Sequence, residues 1–168
     1  MSKILVIVES PGKIEKIKHI LGDDYEVMAS IGHILDLPKN KMSIDFDNHF
    51  NPTYGIIEGK ELVIEKLKHV YAKCKYALLA TDEDREGEMI AWSLARELNI
   101  ASPKRIVFNS ITKDEILNAV AHPKKLDTFL IDAQKMRRLL DRIVGYKLSP
   151  LLWKYIGGRL SAGRVVSV

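Results

Sequence analysis

The sequence has few of the residues that would support a disulfide-bonded or membrane-bound protein. Cys74 is the single cysteine among 168 residues, which excludes an internal disulfide and a cysteine-based zinc site in this chain. The longest early apolar run, Ile4 to Val8, is far shorter than the roughly 20 residues of a transmembrane helix, and it lacks the pattern of a signal peptide. We therefore expect a cytosolic protein in which Cys74 is an incidental helix residue.

Several common catalytic signatures are also missing. No GxxxxGK sequence followed by Ser or Thr is present, which argues against a P-loop nucleotide hydrolase. No GxGxxG follows the first apolar run, and no arrangement typical of a serine or cysteine nucleophile is found. With 46% hydrophobic and 29% charged residues, the chain has the composition of a soluble globular protein with a hydrophobic core. We expect one or two domains, with neither a membrane nor a nucleotide as partner.

Positive charge is concentrated near the end of the chain, although the net charge is only +4. Residues 135–168 contain eight Lys or Arg and a single acid, Asp141, whereas the other 134 residues contain 18 bases and 21 acids. This separation of sign suits a polyanion that is held by the basic segment while a metal ion binds the acidic part.

Strand and helix patterns alternate along the first 121 residues. Residues 3–9 form a non-alternating apolar run rich in β-branched side chains, which is typical of a strand buried on both faces. Ser10 and Pro11 then give a helix-start signal. Further strands are predicted at residues 25–30, 76–80 and 105–109. This alternation predicts an α/β fold with a parallel sheet flanked by helices.

A change of pattern predicts two domains. Residues 1–122 form the α/β domain, interrupted by an irregular excursion at about 39–58. Residues 123–168 show helical patterns only and are predicted to begin a helical domain. Because the chain stops at Val168 without a terminating signal, we interpret it as the amino-terminal part of a longer protein.

The most informative stretch is acidic and follows a predicted strand. Five carboxylates, those of Asp82, Glu83, Asp84, Glu86 and Glu88, fall within seven residues. Carboxylates this close repel one another, so they need a cation, either a hard metal ion or an arginine. A solvated acidic turn that caps a helix is the simpler interpretation.

A carboxylate at the end of another predicted strand, together with the close spacing of the acids, favours a metal site. Glu9 ends the first predicted strand, so parallel strands would bring it to the same sheet edge as Asp82 and Asp84. Three or four such oxygen ligands are typical of a Mg²⁺ site that also contacts a phosphate. Arg85 neutralises only one of the acids.

Five segments taken together resemble one family. The segments are Glu9 to Lys13, Ser30 to Pro38, Ala80 to Glu88, Arg138 to Tyr146 and Leu160 to Arg164. With these segments in this order, the chain resembles the amino-terminal region of type IA DNA topoisomerases, whereas the acidic stretch alone is shared by the wider Toprim group. The resemblance implies a Toprim domain over residues 1–122 and the start of a DNA-binding helical domain after it.

The resemblance also implies roles for individual residues. Catalytic roles would belong to Glu9, as acid or base at the leaving 3′-oxygen, to Lys13, which would stabilise the scissile phosphate, and to Arg85. Magnesium would bind Glu9, Asp82, Asp84 and Glu86 and would be needed chiefly for religation. DNA would be positioned by His33, Arg105, Arg138, Asp141, Arg142 and Arg164.

The implied reaction is an ATP-independent isomerisation of DNA. In this family a tyrosine cleaves one strand of negatively supercoiled DNA, forms a 5′-phosphotyrosyl link, and reseals the strand after another strand has passed. The resemblance implies a cytoplasmic, nucleoid-associated protein whose partners are single-stranded segments of DNA and the remaining domains of the enzyme. None of the six tyrosines here stands in the family's active-site motif, so we expect this chain alone to be inactive.

Two other functions stay open from the sequence. A Toprim nuclease or primase would use the same carboxylates with water or a 3′-hydroxyl as nucleophile. A non-catalytic DNA-binding module would use the acidic turn only as structure.

Overall fold

The chain forms two compact units, and the computed structural model describes residues 3–155. The first unit contains the described residues up to Asp36 together with Ile56–Ile131. The second contains Leu37–Gly55 together with the described residues from Asp132 onward. The excursion predicted near residues 39–58 therefore lies mostly in the second unit.

The first unit ends later than the predicted domain boundary after residue 122. It runs on to Ile131 because the chain adds a short edge strand at Lys124–Lys125 before the last helix begins. Only helical structure was predicted after residue 123, so this strand departs from the prediction.

The strands of the central sheet alternate with helices as the sequence predicts, and four two-residue strands follow one another between residues 35 and 56. The strands are β1 (Ile4–Val8), β2 (Tyr25–Ala29), β3 (Leu35–Asp36), β4 (Ile44–Asp45), β5 (Asn51–Pro52), β6 (Gly55–Ile56), β7 (Ala77–Ala80), β8 (Lys104–Arg105) and β9 (Lys124–Lys125). The helices are α1 (Ile14–Leu21), α2 (Glu61–Tyr71), α3 (Arg85–Glu97), α4 (Lys113–Ala121) and α5 (Thr128–Tyr155), and a 3₁₀ turn at Pro11–Lys13 precedes α1.

The central sheet has the strand order β2-β1-β7-β8-β9. The first four strands are parallel, and β9 pairs with β8 in the antiparallel sense. The predicted α/β class with a mainly parallel sheet and flanking helices is therefore confirmed.

Burial on both faces explains the apolar sequence of β1. Val6 and Val8 pack with Ile17 of α1 and Ile116 of α4 in one cluster. Leu5 and Ile7, which alternate with them along the strand, are also fully buried. A strand covered on both sides cannot alternate apolar with polar residues, and this is why residues 4–8 are uniformly apolar.

β8 is shorter than the strand predicted at residues 105–109. Its register with β7 pairs Leu78 with Lys104 and Leu79 with Arg105, and the Ile106 N–H donates to the Leu79 carbonyl. Because β7 ends at Ala80, the ladder has no partner for the residues beyond Ile106.

The second unit combines a small hairpin with most of the last helix. β4 and β5 pair in the antiparallel sense, and Ser43, His49 and Phe50 have positive φ angles in the same segment. Its helical part belongs to α5, which contains Pro150. Among the residues described, no helix is both long enough and apolar enough to cross a membrane.

Candidate functional site

Two neighbouring strands bring the predicted carboxylates to one edge of the central sheet. Val8 and Ala80 are register partners at the carboxyl ends of β1 and β7. Glu9 follows the first strand and Asp82 follows the second by two residues, so both leave the sheet on the same side. Loops at the carboxyl ends of parallel strands are the usual location of sites in open α/β sheets.

Residues 81–88, which follow β7, form the acidic loop, and its first acid, Asp82, is paired with a cation. Lys13 ends the 3₁₀ turn after β1, and its Nζ lies 2.6 Å from Asp82 Oδ1. Pro11 at the start of this turn and a bond from the Lys13 N–H to the Ser10 carbonyl fix its direction. Ser10 is the N-cap residue of this turn, and its side chain forms no cap hydrogen bond.

His33 reaches the acidic loop from the turn after β2. Its Nε2 lies 2.5 Å from Glu86 Oε2. The turn holds Ile31 at φ 58°, a conformation that costs a β-branched residue roughly 1–3 kcal/mol. Two contacts hold it in place, because Lys60 Nζ donates to the Ile31 carbonyl at 2.5 Å and the Gly32 N–H donates to the Glu9 carbonyl at 3.2 Å.

The end of the acidic loop is also the start of α3. Asp84 is the N-cap residue, and its Oδ1 accepts a hydrogen bond of 2.7 Å from the Gly87 N–H. Carboxylates in the first turn, such as Glu86, are stabilised by the positive end of the helix. The simpler interpretation of the acidic stretch, a helix cap, is thus correct for Asp84 and does not account for Asp82.

Gly87 allows the loop to fold back tightly onto the helix. A Cβ at this position would overlap the Asp82 carbonyl oxygen. The Thr81 hydroxyl, buried beside it, donates to the Gly87 carbonyl at 2.7 Å.

A buried arginine binds backbone carbonyls of the acidic loop. Arg105 is 1% exposed, and its Nη2 donates to the carbonyls of Thr81 and Asp82, at 2.8 Å each. Its Nη1 forms an ion pair with the Glu88 carboxylate, which is also buried and accepts from the Asp127 N–H at 3.2 Å. Arg105 was expected among the DNA contacts. Its burial corrects this, because the side chain acts on the loop and does not reach the surface.

Glu88 was not assigned a role from the sequence. A signal was present, because Ala91 and Ala95 follow it at i+3 and i+7 and are buried on the same face of α3. A carboxylate on a buried helix face requires a partner, and Arg105 supplies it.

Glu9 experiences the local excess of negative charge. Burial raises the pKa of the Glu9 carboxyl above its ordinary value of 4.5, and the carboxylates of Asp82 and Asp84 raise this pKa further. Lys13 and His33 act in the opposite direction and do not cancel these effects. The side chains of Glu9, Asp82, Asp84, Lys13 and His33 are therefore close enough to interact.

The remaining predicted residues lie elsewhere or outside the description. Arg85 is exposed at the first position of α3. Arg138, Asp141 and Arg142 lie on α5 in the second unit. Arg164 and the segment from Leu160 fall outside the described residues.

The carboxylates have the chemistry of a hard-cation site, although protein groups hold them in this structure. Asp82 and Asp84 are exposed oxygen donors. The pKa of Glu9 is raised by burial and, to a smaller extent, by the negative charge of Asp82 and Asp84, which a cation would relieve. Within residues 3–155 no group of three or more His, Cys, Asp or Glu side chains is arranged as a preformed metal site. Instead, Lys13 forms an ion pair with Asp82, and His33 contacts the Glu86 carboxylate.

A curated relative and a solved structure that are similar to this chain are both topoisomerases of Thermotoga maritima. The chain is 52% identical over 166 residues to DNA topoisomerase 1 of Thermotoga maritima, a match that covers 98% of this chain and 26% of the relative. The structure of full-length topoisomerase I from T. maritima superposes with a TM-score of 0.89 at 52% identity, covering 97% of this chain and 28% of the other. The chain thus spans about a quarter of the length of the relatives it matches.

The family model for the Toprim domain matches residues 4–111, which include β1, β7 and the acidic loop. The resemblance predicted from the five sequence segments is confirmed by these matches. The chain belongs to the Toprim domain family.

Proposed function

We propose that this chain is the Toprim part of a type IA DNA topoisomerase. The whole protein relaxes negatively supercoiled DNA by cleaving one strand, passing another through the gap and resealing the first. The observation that carries the proposal is the placement of Lys13 and Asp82 beside Glu9 at the edge between β1 and β7. Phosphodiester chemistry needs a cation for the phosphate and a proton donor for the leaving oxygen, and this edge offers both.

Glu9 acts as the general acid and base. During cleavage a tyrosine, whose hydroxyl proton passes to solvent, attacks phosphorus through its phenolate oxygen, the bond from phosphorus to the 3′-oxygen breaks, and the Glu9 carboxyl donates its proton to that 3′-oxygen. During resealing the Glu9 carboxylate takes the proton back from the 3′-hydroxyl. A raised pKa suits the role because it keeps a larger fraction of the carboxyl protonated near neutral pH. We assign the attacking tyrosine to a part of the protein outside this chain.

Lys13 stabilises the scissile phosphate. Its side chain is 27% exposed, and its ammonium group contacts Asp82 of the acidic loop. A partly buried ammonium group stabilises the negative charge that builds on phosphate oxygens more strongly than a fully solvated one does. Arg85, exposed at the start of α3, is a second cation for the same phosphate.

Mg²⁺ is the cofactor that the acidic donors suit. Asp82, Asp84 and Glu86 would hold it, with Glu9 nearby. When bound, the ion supplies charge neutralisation for the phosphate and the 3′-hydroxyl during resealing. The role of this chain is to fix the donors, which it does through the Asp84 cap, the Arg105 contacts and the close approach at Gly87.

The second unit contributes basic side chains for the DNA. Arg138, Asp141 and Arg142 lie on α5, and Arg164 follows in the sequence. We propose that this part of the chain orients a single-stranded segment of DNA, and that the protein works in the cytoplasm on the nucleoid.

A segment exchange tests the proposal. This chain replaces the matching quarter of the T. maritima topoisomerase, and relaxation of a negatively supercoiled plasmid is followed with Mg²⁺. We expect relaxation by the exchange protein and its loss by at least about a hundredfold in Glu9→Gln and Lys13→Met. Lys16→Met, an exposed lysine of α1, is the control and retains activity.

The same preparations separate the alternatives. Metal-dependent nicking of single-stranded DNA by the 168-residue chain alone would favour a Toprim nuclease. Full relaxation by the Glu9→Gln exchange protein would exclude the acid and base role of Glu9.

A further inference from the structure

The turn that carries His33 contains an exposed isoleucine in a left-handed backbone conformation. Ile31 has φ 58°, and the next residue, Gly32, has φ 78°. Glycine adopts such angles freely, whereas a β-branched side chain is strained there. Ile31 is also 51% exposed, so burial of its side chain offers little compensation. The conformation of Ile31 therefore depends on the contacts of its backbone.

One peptide group of this turn is held on both sides. Its N–H, which belongs to Gly32, donates to the Glu9 carbonyl at 3.2 Å. Its C=O, which belongs to Ile31, accepts a hydrogen bond of 2.5 Å from Lys60 Nζ. Because the N–H and C=O of a trans peptide point in opposite directions, rotation of this group would break both contacts. The end of β1 thus fixes one side of the peptide group, and Lys60 fixes the other.

Lys60 is itself anchored at the start of α2. It is the N-cap residue of that helix, its N–H donates to the Ile57 carbonyl at 2.9 Å, and its carbonyl accepts from the Ile64 N–H at 3.0 Å. The Ile57 N–H donates in turn to the Ile34 carbonyl at 3.0 Å. The segment that contains Lys60 is therefore attached to the His33 turn at a second point. A partly buried lysine with a fixed backbone is well placed to hold this turn.

The held peptide group comes directly before His33. His33 Nε2 lies 2.5 Å from Glu86 Oε2, and the histidine side chain is 21% exposed. Glu86 lies in the first turn of α3 and is one of the proposed Mg²⁺ ligands. Rotation of the peptide group before His33 would move the imidazole away from the Glu86 carboxylate. The contact between His33 and the acidic loop therefore depends on the conformation at Ile31.

We propose that Lys60 is a positioning residue that locks the peptide group between Ile31 and Gly32 and so places His33 against Glu86. The inference rests on the proposed function, because it takes His33 and Glu86 to belong to a site that acts on DNA. An ammonium group suits this task, since its hydrogen bond to a carbonyl is stronger than that of a neutral donor. Lys60 acts on the site through the backbone of the turn.

Nuclear magnetic resonance of the metal-free 168-residue chain tests the backbone contact without reference to activity. Lys60→Met removes the ammonium group and keeps most of the side chain. In this variant we expect the Gly32 amide to exchange faster with solvent, and the three-bond coupling between the Ile31 amide and Hα protons to rise as φ becomes extended. The β1 amides should be unchanged, which shows that the fold is retained.

Two matched variants complete this measurement. Lys60→Arg keeps a cation with N–H donors and should recover both signals. Lys66→Met, at an exposed position of the same helix, is the control and should match the unmodified chain. Unchanged exchange at Gly32 and unchanged coupling at Ile31 in Lys60→Met would overturn the proposal.

Relaxation of supercoiled plasmid by the exchange protein measures the effect on the site. We expect Lys60→Met to lower the rate at least about tenfold, because a displaced site group is costly to catalysis. Ile31→Gly removes the strain at that position, so Lys60→Met/Ile31→Gly should recover to within about threefold of Ile31→Gly alone. A lysine that contacts a phosphate directly would be needed equally in both backgrounds, and an equal loss would therefore overturn the positioning role.

A variant of His33 shows whether Lys60 acts through it. Lys60→Met added to His33→Ala should cause no further loss of relaxation, because the side chain that Lys60 positions is already absent. A full additional loss would overturn the proposal.

Failure of the proposed function has a different signature. An unmodified exchange protein without relaxation activity would overturn the role in DNA chemistry. Faster exchange at Gly32 in Lys60→Met would then leave Lys60 as a structural contact alone.

Discussion

Lys13 and Asp82, which are 69 positions apart in the sequence, meet at 2.6 Å at the edge between β1 and β7. Lys13 lies in the turn after β1, and Asp82 lies in the loop after β7, so the pair joins these two segments. It neutralises one of the carboxylates that surround Glu9. The pair therefore connects the turn after β1 to the acidic loop and fixes the two elements beside Glu9.

Glu9→Gln should stabilise the metal-free protein at neutral pH. The pKa of the Glu9 carboxyl is raised above 4.5 in the folded state, so its contribution to stability is fully present below pH 4.5 and is lost as the pH rises through the folded pKa. A neutral glutamine avoids that loss. Thermal unfolding in the presence of a chelator should show a higher Tm for Glu9→Gln at pH 7 and no difference near pH 4.

The exposed residue Glu65 of α2 offers a matched control, and Glu65→Gln should leave Tm unchanged at both pH values. A lower Tm for Glu9→Gln at pH 7 would mean that the ionised carboxylate is favourable in the fold.

Breaking the buried ion pair should be costly. Glu88→Gln leaves the Arg105 charge buried without its partner, and about 3–5 kcal/mol of unfolding free energy should be lost. Urea denaturation measures this loss. Glu83→Gln, which breaks an exposed pair with Lys124, should cost under about 1 kcal/mol.

The coupling of the buried pair can be isolated in a double variant. Arg105→Met combined with Glu88→Met should be less destabilised than the sum of the two single variants, because neither charge remains. Simple additivity would show that the two side chains do not depend on one another.

Alanine substitution at two glycines should change the free energy of unfolding in opposite directions. Gly87→Ala places a Cβ against the Asp82 carbonyl oxygen, so we expect a loss of about 3 kcal/mol and a displaced acidic loop. Gly145 lies in α5 with open space where its Cβ would be, so Gly145→Ala should gain up to about 1 kcal/mol through helix propensity. Denaturant unfolding of both variants checks the contrast, and equal effects would contradict the close approach at Gly87.

The sequence was informative where local pattern decides structure. The uniformly apolar residues 4–8 and 77–80 predicted buried strands, and the acids that follow them predicted a site at one sheet edge. Asp84 as an N-cap also follows from local chemistry.

Contacts between residues that are far apart in the sequence could not be predicted from local pattern. Arg105 and Arg142 were both predicted to position DNA, and the sequence did not show which protein groups they contact, because the charge of an arginine shows its chemistry and not its partner. One is buried against Glu88, and the other binds carbonyls more than 100 positions away. The left-handed conformation of Ile31 is equally hidden, since a β-branched residue predicts extended backbone and only the contacts of the fold hold it otherwise.

The central claim is that the exposed carboxylates of the acidic loop bind Mg²⁺, and calorimetric titration of the 168-residue chain with MgCl₂ tests it most directly. Asp82→Asn/Asp84→Asn is the informative variant, because asparagine at position 84 caps a helix as well as aspartate does, so that the change there removes only the charge. We predict saturable binding by the unmodified chain, unchanged affinity in Glu83→Gln, and affinity at least about tenfold weaker in Asp82→Asn/Asp84→Asn. Equal Mg²⁺ affinity in all three proteins would contradict the account and would leave the acidic loop as a helix cap.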